Sequence, residues 1–358
     1  MILTEILESY QFNTRDCILT PFGNGLINNT WKIKSGIGNS SYILQKINTA
    51  VFKEPGNIAE NIKIISSYLQ KRFPFYLFIS PVKTAIGDEM YVDKEKNYYR
   101  VFPFVEGSQS FDVLTEPKLA FEAAQQFGLF TKLHSDFQIQ SLKVTLPDFH
   151  NLTLRFRQFL TALENGNKER TKRAGKSIFF LLTQKNIVDV FEAIRSNPQF
   201  KLRVTHHDTK ISNVLFSNEN KGICVIDLDT VMPGYFISDI GDMMRTYLSP
   251  VSEDESDFSK IEIREDYFQA ISEGYLSQMK DELNQIEKRH FVYAGKFLIY
   301  MQALRFLTDY LNNDVYYGSK YEEHNFIRAQ NQIVLLQRFI KKEKLLNKIV
   351  ENLQTVDA

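Results

Sequence analysis

The stretch VTHHDTKISNVLFSNENKGICVIDLDTVMPGYFISDIGDMMR, residues 204–245, carries the most informative pattern of this 358-residue chain. Asp208 is followed after four intervening residues by Asn213, and the short apolar run VLF comes next. The polar sequence SNENKG separates this run from a second one, ICVI, which Asp227 follows directly. Two apolar runs joined by a polar turn predict a β-hairpin. Such a hairpin would fold the chain back, so that Asp208, Asn213 and Asp227 face one cleft.

Two carboxylates and an amide in this arrangement suit phosphoryl transfer. The phosphoryl group leaves through a loose transition state, so catalysis rests on positioning and on charge neutralisation. Asp208 would take or orient the proton of the attacking hydroxyl, and Asn213 and Asp227 would supply the oxygen ligands that Mg²⁺ prefers. The adjacent His206 and His207 suggest a transition metal as an alternative, but consecutive residues of an extended chain point to opposite faces.

The motifs HHDTKISN and VIDLDTVMPG resemble the catalytic loop and the metal-binding aspartate of the aminoglycoside phosphotransferase and choline kinase superfamily. The likeness is greatest to the N-acetylhexosamine 1-kinases, which have similar loop and strand motifs and segments similar to YILQKIN, VFK and RFLTDYLNNDVYY. It extends from about Phe22 to Tyr317. The resemblance implies a protein-kinase-like bilobal fold, ATP and Mg²⁺ as cofactors, and a catalytic Lys210 near the transferred phosphate.

Hydrophobic spacing divides the chain into two parts, as expected for a length beyond what one core organises. The strand-like segments of the first part are residues 17–34, SYILQKIN, YLFIS, MYVD and YYRVFPFVEG. One predicted helix, which begins at Pro55, lies among them. They predict a β-rich N-terminal nucleotide-binding lobe over residues 1–105. From Leu114 onwards apolar residues recur at helical spacing, which predicts a mainly helical catalytic and acceptor-binding lobe over residues 106–358. The fold class is therefore α+β.

A glycine turn lies between the first two predicted strands. Its backbone N–H groups and small side chains suit a segment that closes over phosphates. The nucleotide-contacting residues predicted here are Gly23, Asn24, Gly25, Asn28 and Thr30.

The kinase-like fold also requires a strand lysine that neutralises the phosphates. Lys46 is the natural candidate, with Glu60 of the following helix as its partner. Lys32 is the alternative, because a one-residue shift in register would turn Lys46 to the other face of the sheet. The backbone of Pro103, Phe104 and Val105, in the linker between the lobes, would hydrogen-bond adenine.

Other polar residues have two interpretations each. Asp229, two residues after Asp227, would either support the metal or belong to a turn. Asp239, Asp242 and Arg245 would cap and brace a helix, with acceptor binding as the alternative.

A third set lies near the C-terminal end of the resemblance. Arg305, Asp309 and Tyr317 would either reach the acceptor pocket or serve helix packing.

The charge balance bears on the partner. Lys plus Arg and Asp plus Glu number 43 each, so no overall field draws the chain to nucleic acid or to an anionic membrane. An aminoglycoside acceptor is polycationic, and no acidic cluster stands out beyond SEDESD at residues 252–257. We therefore expect a small-molecule acceptor, a sugar by the resemblance. The alternatives that stay open are another sugar, an amino alcohol or an aminoglycoside as the acceptor, and a pseudokinase scaffold without turnover.

The N-terminus and the hydropathy pattern bear on location. The N-terminal sequence MILTEILESYQFN lacks a basic segment followed by a long apolar core. No uninterrupted apolar run reaches the ~18 residues that a membrane span needs. These features predict a cytoplasmic protein.

Overall fold

The computed structural model of the chain describes residues 2–23, 27–35 and 40–355. Its helices are α1 (Ile2–Ser9), α2 (Pro55–Arg72), α3 (Pro117–Leu133), α4 (Leu152–Asn165), α5 (Lys168–Arg173), α6 (Gly175–Thr183), α7 (Asn186–Ser196), α8 (Phe236–Tyr247), α9 (Glu265–Met279), α10 (Gln285–Arg289), α11 (Phe291–Leu311) and α12 (His324–Thr355). Its strands are β1 (Cys17–Pro21), β2 (Asn29–Ser35), β3 (Ser41–Lys46), β4 (Tyr91–Val92), β5 (Tyr98–Pro103), β6 (Ser108–Gln109), β7 (Arg203–Thr205), β8 (Val214–Ser217), β9 (Gly222–Val225) and β10 (Met232–Gly234). The predicted α+β class, with a β-rich first part and a helical second part, is confirmed.

The N-terminal sheet has two chemically different faces. Its strands run antiparallel in the order β1-β2-β3-β5-β4. On the outer face Ile33, Leu44 and Val101 form a small core with residues of α1. Because side chains alternate along a strand, the residues between them point to the inner face. Gln45 lies there, paired across the strands with Arg100.

The run YLFIS, residues 76–80, is not a strand, contrary to the expectation. Pro74 and Pro81 flank it, and neither has a backbone N–H to donate to a ladder. The nearest pairing is the single bridge between Val82 and Val101.

Helix α2 connects the sheet to the helical part. Pro55 occupies its first turn, where a missing N–H costs no intrahelical bond. Ile58, Ile62 and Ile65 recur at helical spacing and belong to the large core of the C-terminal part. The outer face of the sheet, in contrast, has its own separate core. Helix α2 is therefore anchored to the C-terminal part.

Helix α11 runs through the centre of the C-terminal part and is buried along most of its length. It packs on α4, α8 and α12. The contact with α8 is very close, because a Cβ added to Gly241 would lie 2.3 Å from the backbone oxygen of Ala294. None of the described helices is long and apolar enough to cross a membrane.

Candidate active site

The loop after β7 carries Asp208 and is held by helix α8. The Asp239 carboxylate accepts hydrogen bonds from the backbone N–H groups of both histidines before Asp208, at 3.1 and 2.7 Å. Asp242 accepts from the N–H of Thr209 at 2.8 Å. The sequence suggested that these two aspartates brace their own helix. In the structure they fix the backbone on both sides of Asp208.

Asp208 contacts two of the predicted site residues. Lys210 Nζ lies 2.9 Å from Asp208 Oδ1, and Asn213 Nδ2 donates to Asp208 Oδ2 at 3.2 Å and to its backbone oxygen at 2.8 Å. Burial disfavours a charged carboxyl, but the charge and hydrogen bond of Lys210 outweigh it and lower the pKa of Asp208. Asp208 is therefore a carboxylate at neutral pH, able to accept a hydrogen bond or a proton.

The predicted hairpin brings Asn213 next to the segment of Asp227. Strands β8 and β9 pair with Val214 opposite Val225, and the N–H of Ile226 donates to the backbone oxygen of Asn213 at 2.9 Å. Asp227 follows with φ +59°, in the left-handed region that Asp tolerates better than most residues. This turn exposes the Asp227 side chain to the cleft.

The electrostatics around Asp227 suit a hard cation. Loss of hydration, followed by the negative charges of Asp229 and Asp208, raises the pKa of Asp227 to about 7. A divalent cation would remove this repulsion. The amide nitrogen of Asn213 donates to Asp208, which leaves its carbonyl oxygen available. One carboxylate and one amide oxygen, completed by substrate phosphates and water, form a typical Mg²⁺ environment. The predicted pair Asn213 and Asp227 thus fits the metal.

The two histidines before Asp208 are buried and do not face one site. His206 Nε2 lies 2.9 Å from the backbone oxygen of Ile226, and His207 Nδ1 lies 3.1 Å from that of Thr205. Burial lowers the pKa of both, that of His207 to about 4, so both rings are neutral. Their ring nitrogens hold backbone segments on either side of the loop.

Lys46 does not lie in the cleft. The register pairs Lys46 with Asn29 and Tyr99, on the same face as Leu44 and the outer core. Its Nζ lies 5.8 Å from the centre of the Tyr99 ring. The parity of the strand therefore turns Lys46 away from a nucleotide. Lys32, the alternative, lies on the inner face, with its Nζ 3.5 Å from the centre of the Phe104 ring.

Glu60 is also turned away, because it lies on the exposed side of α2. The inward side carries Asn61 instead, which is fully buried. Its Nδ2 donates to the backbone oxygens of Lys143 and Val231, and its Oδ1 accepts from the N–H of Lys143. Helix α2 thus contacts the segment after Asp227 through an amide, and the predicted pair of Lys46 and Glu60 does not form.

A buried ion pair that the sequence reasoning missed lies on the inner face. Arg100 Nη2 is 2.5 Å from Asp229 Oδ1, and both side chains are 2% exposed. Gln45 Oε1 accepts from Arg100 Nε and Nη2 at 3.1 and 2.8 Å. A signal was present in YYRVFP, where a charged residue alternates with apolar ones in the middle of a strand. This pair links the sheet to the turn of Asp227.

The turn between β1 and β2 is described only in part. Gly23 has φ +77°, which favours glycine, whereas Asn24 and Gly25 lie outside the described residues. Asn28 Nδ2 donates to Asp229 Oδ2 at 2.8 Å. Thr30 lies on the inner face, opposite Gln45. Asn28 and Thr30 therefore lie on the side of the sheet that faces the Asp227 turn, and their contact with a nucleotide stays a prediction.

The linker at Pro103, Phe104 and Val105 follows β5 directly. The N–H of Phe104 donates to the Ser41 backbone oxygen at 3.0 Å. The N–H of Val105 donates to no backbone carbonyl of the described residues. The Phe104 ring meets that of Phe22 edge-on at 6.0 Å. The linker thus combines an aromatic wall with a free backbone donor.

A family model described as "Phosphotransferase enzyme family" matches residues 18–280, most of the chain. The chain belongs to this family. The prediction of an ATP-dependent phosphotransferase with a hydroxyl acceptor is confirmed by this membership together with the kinases among the similar structures. The narrower resemblance to N-acetylhexosamine 1-kinases stays a prediction.

Solved structures of several kinases resemble this phosphotransferase. A spectinomycin phosphotransferase in complex with ADP and spectinomycin has a TM-score of 0.62 at 14% identity and covers 96% of this chain and 98% of its own. A microcompartment-associated aminopropanol kinase gives 0.61 at 16%, covering 97% and 98%. A choline kinase from Cryptosporidium parvum Iowa II gives 0.58 at 14%, covering 98% and 99%. At such identities the likeness shows the fold, and the predicted kinase-like fold is confirmed.

A chain of ring contacts in the phosphotransferase begins at His207, the residue before Asp208. The His207 ring lies 5.3 Å from that of His150, which stacks on Phe149 at 4.5 Å. The Arg305 guanidinium lies 5.9 Å from the centre of the Phe149 ring and 5.4 Å from that of Tyr317.

Ion pairs continue this chain back to the catalytic loop. Arg328 lies 5.3 Å from the centre of the Tyr317 ring and pairs with Glu253. Arg245 bridges Glu253 and Asp242 at 3.0 Å each. Asp242 in turn holds the residue after Asp208. We call this set the side-chain ring, and it consists of His207, His150, Phe149, Arg305, Tyr317, Arg328, Glu253, Arg245 and Asp242.

The last two residues of the predicted acceptor set differ in their surroundings. Asp309 is buried and accepts from the backbone N–H groups of Tyr316 and Tyr317 at 2.7 and 2.8 Å. It therefore fixes the turn after α11. Tyr317 belongs to the side-chain ring, next to Arg305.

Proposed function

We propose that this phosphotransferase transfers the γ-phosphoryl group of ATP to the anomeric hydroxyl of an N-acetylated hexosamine, giving the sugar 1-phosphate. The observation that carries the acceptor class is the charge of the side-chain ring. The sequence motifs that resemble N-acetylhexosamine 1-kinases support the particular sugar. Other sugars, amino alcohols and aminoglycosides are the alternatives.

The chemistry is assigned to Asp208. The acceptor oxygen attacks the γ-phosphorus, the bond from that phosphorus to the β–γ bridging oxygen breaks, and ADP leaves. Asp208 takes the proton of the acceptor hydroxyl. An anomeric hydroxyl is more acidic than an ordinary alcohol, so a carboxylate is a sufficient base. The lowered pKa of Asp208 supports this role, because the group is ionised before substrate binds.

Lys210 is assigned to the transferred phosphate. Loss of hydration works against its charge, but Asp208 and Asp242 raise the pKa of Lys210, so the ammonium persists. It lies within 2.9 Å of Asp208 and is half exposed, so it can approach a phosphoryl group that reaches the same carboxylate. Magnesium held by Asn213 and Asp227 would neutralise charge on the phosphates.

The nucleotide is assigned to the inner face of the sheet, within a first lobe of residues 1–105. Adenine would lie beside Phe104, with the free N–H of Val105 as a hydrogen-bond donor and Pro103 as part of the wall. Lys32 replaces Lys46 as the lysine nearest this site. Gly23, Asn28 and Thr30 border the phosphates, and the second lobe, residues 106–358, supplies the acceptor side.

The side-chain ring supports a neutral acceptor. Two of its three arginines, Arg245 and Arg328, pair with Asp242, Glu253 and the adjoining Asp254, so each of these carboxylates already has a cationic partner. Arg305 forms no ion pair among the described residues, and its polar partners are the neutral Gln302 and Tyr316. A polycationic aminoglycoside or a quaternary amine requires spare negative charge or an open aromatic cage. A polar, uncharged sugar matches the ring better.

An acceptor panel tests the proposal. ADP release with Mg²⁺ would be followed for N-acetylglucosamine, N-acetylgalactosamine, glucose, galactose, choline, homoserine and kanamycin. We expect turnover with the acetamido sugars and little with the others. Turnover with choline or kanamycin would keep the mechanism but overturn the acceptor. If every acceptor fails while ADP still binds, the scaffold alternative gains support.

A further inference from the structure

In a kinase-like enzyme the nucleotide-binding part and the catalytic part have to be held in a fixed relative position for catalysis. In protein kinases an ion pair between a strand lysine and a helix glutamate must be in place. Here Lys46 lies on the outer face of the sheet and Glu60 on the exposed side of α2. The buried pair of Arg100 and Asp229 instead joins the sheet to the turn that follows Asp227.

The contacts of Asp229 leave it little capacity to bind a metal. Its Oδ1 lies 2.5 Å from Arg100 Nη2, and its Oδ2 accepts from Asn28 Nδ2 at 2.8 Å. The side chain is 2% exposed. A cation would have to displace one of these partners, whereas the neighbouring Asp227 is open to the cleft. Asp229 is therefore placed to connect protein segments.

The segments that it connects are those that border a nucleotide. Asn28 and Thr30 lie where the β1–β2 turn returns to the sheet. Asn28 Oδ1 also accepts from the backbone N–H of Asn48, at 3.0 Å. Through Arg100 the network reaches Gln45, whose Nε2 lies 3.5 Å from Thr30 Oγ1. Both Asn28 and Thr30 thus connect to the turn that follows Asp227.

We propose that Arg100, Asp229 and Asn28 form the positioning network that fixes Asn28 and the start of β2 relative to the Asp227 turn, and thereby sets the affinity for a magnesium nucleotide. Arginine suits this place because its planar fork contacts two acceptors at once, Gln45 and Asp229, which a lysine cannot do in the same geometry. A buried ion pair adds little net stability, so a geometric role accounts for it better. This inference rests on the nucleotide part of the proposed function and not on the acceptor.

The test is calorimetric binding of MgADP, which needs no acceptor. Asn28→Ala removes both hydrogen bonds of the Asn28 side chain, the one to Asp229 and the one from the Asn48 N–H. We expect at least roughly tenfold weaker binding, the effect of losing one hydrogen bond to a charged group. Arg100→Lys keeps the charge but loses the fork, and we expect a loss of at least the same size. Asp229→Asn should also weaken binding. Adding Asn28→Ala to it should cause less than the sum of the two single losses, because both changes break the same hydrogen bond between Asn28 and Asp229.

The control is a second buried ion pair that shares no residue with the network. The side chains of Arg203 and Glu287 are 9% and 0% exposed, and Arg203 Nη1 lies 2.6 Å from Glu287 Oε1. Glu287→Gln should lower thermal stability and leave MgADP affinity within about twofold of wild type. This margin is well below the roughly tenfold loss expected for the network variants, which corresponds to about 1.4 kcal/mol.

Two results would overturn the proposal. One is wild-type MgADP affinity in both Asn28→Ala and Arg100→Lys. The other is a loss confined to Asp229→Asn, which is the pattern of a metal ligand. If the wild-type protein itself does not bind MgADP, the nucleotide part of the proposed function fails and the network has no nucleotide to position. Failure to turn over any acceptor, with MgADP bound, leaves the network proposal intact.

Discussion

The Asp208 carboxylate contacts Lys210, whose charge and hydrogen bond lower the pKa of Asp208, and Asn213, which donates a hydrogen bond to its Oδ2. Asp208→Asn preserves the shape and the contact with Asn213 but removes the base. We expect kcat to fall by about 10²–10⁴, the usual contribution of a general base, with MgADP affinity unchanged within a few fold. Steady-state kinetics and calorimetry measure the two quantities.

The matched control for this prediction is Asp281→Asn, at an exposed aspartate in the loop after α9. It should leave kcat unchanged. A wild-type kcat in Asp208→Asn would remove Asp208 from the mechanism.

Asp227 is the carboxylate best placed to hold Mg²⁺. Asp227→Ala removes the carboxylate that we propose as a magnesium ligand. We expect the Mg²⁺-dependent part of nucleotide affinity to be lost, as measured by calorimetry with and without the metal. Mg-ATP affinity equal to that of wild type would refute the ligand assignment.

Arg305 is the residue that most directly tests the acceptor side. Its guanidinium lies near three aromatic rings, Phe149, Tyr316 and Tyr317, without a carboxylate partner among the described residues. Arg305→Met keeps much of the packing and removes the donors. We expect KM for the acceptor to rise roughly tenfold, the effect of one charged hydrogen bond, with KM for ATP unchanged. A rise in both constants, or in neither, would argue against an acceptor role.

Sequence reasoning found some of these residues and not others for a physical reason. Asp208, Asn213 and Asp227 lie on one short loop and hairpin, so their proximity follows from local geometry. Lys46 lies on the opposite face of the sheet from the one predicted, because a single step along a strand reverses the face to which a side chain points. Arg100 and Asp229 are distant in sequence, and only the folded chain brings them together.

Helix α8 connects the catalytic loop to the core. Asp239 and Asp242 hold the loop, and Gly241 between them packs against the Ala294 backbone. Gly241→Ala would place a Cβ 2.3 Å from the Ala294 oxygen. We expect the free energy of unfolding to fall by about 1–3 kcal/mol, as for other overpacked sites, and kcat to fall with it because α8 shifts under Asp208.

Gly175, at the start of α6, is the matched control. An added Cβ meets nothing within 4 Å there. Urea unfolding of Gly175→Ala should give wild-type or slightly higher stability. Equal stability of the two variants would show that α8 can move away from α11 at no cost.

Elements were easier to predict than their contacts. Alternation and helical spacing gave the β8–β9 hairpin, α2 and α3 correctly, since these patterns reflect burial of one face. YLFIS was misread as a strand because hydrophobicity alone does not reveal the missing N–H groups of the flanking prolines. The support of the catalytic loop by α8 was also missed, because periodicity does not say which partner a helical carboxylate meets.

In the whole molecule, the residues proposed for catalysis lie on the helical part and those proposed to face the nucleotide lie on the sheet. Order along the chain made this division predictable from sequence. The connections between the parts, through Asn28, Arg100 and Asn61 to the segment 227–231, were not predictable, because they depend on strand parity and on the packing of α2. Through these contacts the segment that begins at Asp227 connects the sheet and helix α2 to the helical part.

The most direct test of the central claim is identification of the product by ³¹P NMR after incubation with ATP, Mg²⁺ and N-acetylglucosamine. The account predicts one equivalent of ADP and one of a sugar phosphate whose phosphorus couples to the anomeric proton, with no such product from Asp208→Asn. Phosphate on another hydroxyl, or an equal amount of product from Asp208→Asn, would contradict it.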